Sequence, residues 1–88
     1  MSSSTPVKIL YFAWLREKTA VSSEEVDGAG LATVSDLVEV LRAKGDRHAA
    51  AFEDVSAVKV AVDQKVVGFD ASLDGATEVA FFPPMTGG

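Results

Sequence analysis

The residues of this chain best suited to chemistry are the last two, Gly87 and Gly88, at the end of the run Pro83-Pro84-Met85-Thr86-Gly87-Gly88. The two prolines stiffen the run where it leaves the preceding segment, because the pyrrolidine ring fixes φ and has no N–H for a ladder. The run lacks the periodicity of a buried element, so it is expected to project as an arm. Two successive glycines have no side chains, so such an arm can thread a narrow channel and set its carboxylate among another protein's catalytic groups. A carboxylate is a poor electrophile at neutral pH. Using Gly88 therefore requires activation, most simply as an acyl-adenylate made at the expense of ATP by a separate enzyme. The adenylate can then accept sulfide to become a thiocarboxylate, or an amine to become an amide. At average glycine usage a Gly-Gly ending arises by chance about once in two hundred chains, so the rest of the chain must support the reading.

Other chemistries find little to build on. Gly28-Ala29-Gly30 fits neither the Walker nor the dinucleotide pattern and reads as a turn. There is no cysteine, so the chain offers no disulfide, thiolate nucleophile or zinc-thiolate site, and cysteine usage does not indicate a redox compartment. His48 is the sole histidine; beside Asp46 and Arg47 it is expected on the surface rather than on a metal. Glu24-Glu25 is expected to be a solvated edge rather than an acid–base pair, because neighbours on a strand face opposite sides. Arg16, Lys18 and Lys59 either guide acidic partners or solvate the surface. The net charge of −5 and the dispersed basic residues argue against nucleic acid and anionic membranes as partners. The Ser-rich opening lacks the pattern of a secretory signal and no apolar run approaches transmembrane length, so a soluble cytoplasmic protein is expected.

A chain of 88 residues with 48% apolar content has room for one domain and one core. The expected division is a disordered N-terminus over 1–6, a folded domain over 7–82 and a flexible tail over 83–88. The β-branched and aromatic run Val7 to Trp14 reads as a central strand. Val21 to Asp27 is a weaker second strand. Val34, Leu37, Val38 and Leu41 keep the i, i+3, i+4, i+7 spacing of a helix, with Thr33 as N-cap, Asp36 at its positive start and Lys44-Gly45 at its end. Arg47 to Phe52 can add a short helical turn through its three alanines. Ala57 to Val62 and Lys65 to Val67 flank a turn at Asp63-Gln64, and Glu78 to Phe82 forms a last strand before the prolines. The order is ββαββ with short extra elements. One helix covers one face of such a sheet, and the right-handed crossover returns the last strands beside the first. This is the α+β arrangement of a β-grasp, ubiquitin-like fold, a mixed sheet with one main helix on one face.

Side chains alternate along a strand, so Lys8, Lys59 and Glu78 mark the outward phase. Their phase-mates are Leu10, Phe12, Trp14, Ala61, Ala80 and Phe82. Val7, Ile9, Tyr11, Val58, Val60, Val62, Val79 and Phe81 take the helix side. An outward face with Phe12 and Phe82 implies a protein partner, unless loops or the termini cover the rings.

Val7-Lys8-Ile9-Leu10-Tyr11-Phe12-Ala13, followed by Arg16-Glu17, and Glu78-Val79-Ala80-Phe81-Phe82-Pro83-Pro84-Met85-Thr86-Gly87-Gly88 resemble the small, sulfur-carrying subunits of molybdopterin synthase, of the MoaD/ThiS-like β-grasp family. The resemblance runs from Val7 to the end, and the Phe-Phe-Pro-Pro approach to Gly-Gly is its specific part. It implies a carrier that is not an enzyme on its own and binds no cofactor. Gly88, with Gly87 beside it, would be adenylated with ATP by a ubiquitin-activating-type partner and converted to a thiocarboxylate by a sulfurtransferase or other sulfur donor. It would then enter the large subunit's active site to sulfurate cyclic pyranopterin monophosphate for the dithiolene of the molybdenum cofactor, in a heterotetramer. Phe12, Val66 and Phe82 match interface positions of that family, and the tail residues Pro83, Pro84, Met85 and Thr86 belong to the same contact. Asp63-Gln64 and Asp74-Gly75-Ala76-Thr77-Glu78 depart from its usual turns. The alternatives are a ubiquitin-like modifier joined to lysines, a thiazole-type sulfur carrier of another pathway, and an adaptor with an inert tail.

Overall fold

Burial alternates along β1 (Pro6–Tyr11), with Val7, Ile9 and Tyr11 inside and Lys8 exposed, the period-two pattern of a strand with one covered face. The computed structural model describes residues 6–84. β1 opens at Pro6, which pairs with Asp27 of β2 (Ser23–Asp27), so Pro6 is part of the sheet. A proline at the first strand residue removes no ladder bond the sheet needs. β2 is shorter than the expected Val21 to Asp27 and lies at a sheet edge.

β1 stops at Tyr11, three residues before the expected Trp14. Ala13 adopts φ 57°, ψ −134°, and Trp14–Thr19 form a short helix, α1. The helix is held by tertiary burial of Leu15 and Thr19. Trp14 therefore does not share the outward phase with Phe12; it is half-buried against the core. A continuous apolar run looks the same whether its last residues are strand or helix, so the break was hidden.

The main helix, α2 (Val34–Arg42), buries the expected stripe of Val34, Leu37, Val38 and Leu41. Its start is a capping box: Thr33 Oγ1 accepts from Asp36 N–H and the Asp36 carboxylate accepts from Thr33 N–H, which satisfies two otherwise orphaned donors. Its end differs from expectation. The C-cap is Ala43 in a right-handed conformation, whereas Gly45, at φ 156°, opens the next helix, α3 (Asp46–Ala51). Ala57 belongs to a 3₁₀ turn, Val55–Ala57, capped by Asp54, and β3 (Lys59–Val62) begins two residues later.

β3 turns into β4 (Lys65–Val67) through Asp63 and Gln64, whose φ values of 49° and 73° make the two-residue primed turn that matches strand twist. β5 (Glu78–Phe82) runs parallel to β1 on one side and antiparallel to β3 on the other. The sheet order is β2-β1-β5-β3-β4, so both hairpin strands count and the order is ββαβββ rather than ββαββ. β5 lies in the middle, as the crossover rule requires. Inward residues of β1, β3 and β5 and the stripe of α2 form one core with Leu15, Phe52 and Leu73. The architecture is an α+β, ubiquitin-like β-grasp.

Candidate functional site

The face of the sheet away from α2 carries a row that crosses all five strands, Ser23, Leu10, Ala80, Ala61 and Val66 in register. Leu10 and Ala80 are half-buried, and Val66 on the edge strand is 71% exposed. Ala61 is buried although it points outward, because a methyl group between taller neighbours shows little surface. Toward one end the row gives way to Glu25, Lys8 and Glu78. Toward the other lie Phe82, paired with Lys59, and Phe12, whose N–H donates to the Phe81 carbonyl at 3.1 Å. Phe12 is 48% exposed. No described loop covers the two rings fully. An apolar patch rimmed by charge has the composition of a docking surface.

The tail leaves from this corner. Pro83 is half-buried and Pro84 exposed, directly after Phe82. Met85, Thr86, Gly87 and Gly88 lie outside the described residues. Of the residues singled out from sequence, Phe12, Val66, Phe82, Pro83 and Pro84 thus share one face and its exit.

β5 is fixed where it must be. Its inner neighbour Phe81 is fully buried, stacked on Tyr11 with ring centroids 6.2 Å apart and edge-on to Phe52 at 4.9 Å. At its start, Asp63 Oδ1 accepts from Thr77 N–H at 3.0 Å, Thr77 Oγ1 at 2.9 Å and Glu78 N–H at 3.0 Å. These bonds from Thr77 and Glu78 hold the Asp63 carboxyl below its ordinary range, against a smaller opposing effect of desolvation. A slip of β5 by one residue would break them and would exchange its two faces.

Behind the Phe12 corner sits a polar cluster that the sequence reading missed. Glu24 Oε2 accepts from the Tyr11 hydroxyl at 2.6 Å and lies 2.7 Å from His48 Nε2, while Oε1 is 3.5 Å from Lys44 Nζ. The Glu24 and His48 side chains are 17% and 14% exposed, so neither the solvated edge expected for Glu24 nor the surface position expected for His48 holds. Glu25 does face solvent. The available signal was phase: Ser23, Glu25 and Asp27 point outward, which sends Glu24 to the helix side. Burial, and then the Glu24 hydrogen bond and charge, push the Tyr11 phenol far above its ordinary value. For Glu24, burial alone would raise the value, but bonds from Tyr11 and His48 and the charges of His48 and Lys44 outweigh it and bring it below 4.5. A carboxyl depressed in the folded state contributes stability above its unfolded value, and that contribution is lost as pH falls through the folded one. Glu24→Gln should therefore cost about 1 to 3 kcal/mol at pH 7 and flatten the acid limb of the stability curve. Urea unfolding at pH 7 and at successively lower pH checks both; an unchanged acid limb would contradict it.

Among the described residues no group of three or more His, Cys, Asp or Glu is placed to hold a metal ion, and no helix is long and apolar enough to cross a membrane. What this site offers is contact surface and a tail exit.

Known proteins resemble this chain in sequence and fold. The ThiS family model matches residues 9–88. The molybdopterin synthase sulfur carrier subunit of Escherichia coli (strain K12) is 44% identical over 93% of this chain and 99% of its own length. Its counterpart in Haemophilus influenzae is 34% identical over the same shares. Among solved structures, a putative molybdopterin converting factor, subunit 1, from Pyrococcus furiosus is 30% identical, with a TM-score of 0.72 over 93% of this chain and 100% of that one. SAMP1 from Haloferax volcanii is 25% identical, with a TM-score of 0.72 over 94% and 99%. On sequence over nearly its whole length, and on the β-grasp sheet that sends out the tail, the chain belongs to the ThiS family.

Proposed function

We propose that this chain is the sulfur carrier subunit of a molybdopterin synthase and that its working group is the carboxyl of Gly88. It is a carrier rather than a catalyst on its own. The observation that supports the reading is the position of Pro83 and Pro84, which open the tail directly after Phe82 on the outward face that also exposes Val66 and lies next to Phe12. The relatives at 44% and 34% identity bear the name of that subunit, which supports a large subunit as the partner.

The chemistry follows from the terminus. A ubiquitin-activating-type enzyme transfers AMP from ATP to the Gly88 carboxylate with release of pyrophosphate. Sulfide released by a sulfur donor then attacks the acyl carbon, expels AMP and leaves a thiocarboxylate. In the large subunit that sulfur passes to cyclic pyranopterin monophosphate, and water returns the carboxylate. Two such deliveries build one dithiolene. The carrier contributes rigid docking and reach, which turn an encounter in solution into a positioned reaction.

The test is intact mass spectrometry of the full chain after incubation with ATP, an adenylating enzyme of this type and a sulfur source. The expected product is heavier by the difference between sulfur and oxygen. An amide to a lysine of another protein in place of that product would replace the carrier with a modifier, and an unchanged mass beside a verified active enzyme would leave an adaptor.

A further inference from the structure

Where β1 ends, Ala13 holds φ 57°, ψ −134°, a region that Cβ sterics close to ordinary L-residues and that is the mirror image of extended backbone. Ala20, at the other end of α1, has φ 68°, ψ 13°, the left-handed conformation common after helices. Ala13 is the unusual one. Its side chain makes no cap for α1, and the helix is anchored instead by Leu15 and Thr19. The corner is tied on both sides: Phe12 N–H donates to the Phe81 carbonyl at 3.1 Å, Leu15 N–H to the Phe12 carbonyl at 3.2 Å, and Arg16 N–H to the Ala13 carbonyl at 3.1 Å. A strained residue persists when its surroundings over-determine it, and such residues gather at binding clamps. The neighbour it governs is Phe12, the large apolar ring standing 48% exposed at the tail-exit corner.

We propose that Ala13 is a positioning residue for docking: its positive-φ corner, not its side chain, aims the Phe12 ring at the partner. This rests on reading the outward face as the docking surface. The turn takes the chain into α1 immediately after Phe12, so Phe12 stands at the end of the sheet, its N–H on the Phe81 carbonyl and its own carbonyl on Leu15 N–H, with the backbone held from both directions. Without the corner the same ring would swing with a loose end.

Affinity of the full chain for a molybdopterin synthase large subunit, measured by titration calorimetry, tests this with four variants. Phe12→Ala should weaken binding about tenfold or more, as a buried aromatic anchor does. Ala13→Val, β-branched and averse to positive φ, should weaken it by a similar factor while the sheet stays folded by circular dichroism. Ala13→Gly should keep the parent affinity within about twofold and raise the thermal midpoint, because glycine adopts the corner without strain. The double variant Phe12→Ala with Ala13→Val should bind no more weakly than Phe12→Ala alone, since both act through one ring. Parent affinity for a folded Ala13→Val, or losses that add in the double variant, would overturn the positioning role. Should the valine variant not fold, the glycine variant decides: a tenfold loss there assigns the effect to the methyl group and overturns the proposal. Parent affinity for Phe12→Ala removes the docking reading itself, a distinct result.

Discussion

A chain that stops at Gly87 should fold as the full-length protein does and deliver no sulfur. Among the described residues the core closes at Phe81 and the last strand at Phe82, six residues before the end of the chain. The shortened chain still ends in a glycine carboxylate, so its intrinsic chemistry is unchanged. What changes is reach: one residue withdraws the reacting carbon by about 3.5 Å. A displacement of about 1 Å from reactive geometry already costs on the order of a hundredfold, so single-turnover transfer to cyclic pyranopterin monophosphate should fall by at least that factor. Coincident urea transitions for the two chains would place the defect in delivery. Transfer at the parental rate would remove Gly88 from the mechanism.

The second large effect is in the core. Phe81→Ala should cost about 3 to 5 kcal/mol, because Phe81 is fully buried at the centre of the sheet between Tyr11 and Phe52. Small domains hold only about 5 to 15 kcal/mol in total, so this single change should leave little of the urea transition. Phe82→Ala, one residue on, removes a ring from the opposite, partly exposed face and should cost only about 1 kcal/mol or less in stability, with its loss in partner affinity. The contrast between neighbouring phenylalanines is the check: similar urea midpoints for the two variants would contradict the assignment of faces.

Much of this was legible in the sequence because the signals are local. The stripe of α2 with its Thr33 cap, the inward phase of β1 and β5, and the proline exit each depend on residues within one element. Within the strands the faces followed from alternation once Lys8, Lys59 and Glu78 marked one side, with Leu10, Ala61, Ala80 and Phe82 on it. Two features escaped because they are made by distant contacts. The end of β1 depends on a core site that receives Leu15, which an apolar run cannot announce. The Glu24–His48 contact joins residues 24 positions apart, and a lone histidine among charged neighbours looks solvated until α3 is folded against the edge of the sheet. The positive-φ corner at Ala13 gave no sign at all, since alanine is not the residue that such a corner favours.

β5 has no slack. Glu78 is tied to Asp63, Val79 and Phe81 are committed to the interior, and Ala80 and Phe82 to the outside. A residue inserted within it would turn the strand inside out from that point. The same residue inserted after Phe82 would only lengthen the arm, by at most about 3.6 Å. Natural or engineered adjustment of how far this carrier delivers its cargo is thereby confined to the segment from Pro83 onward, a ruler that can be recut without touching the machine that holds it.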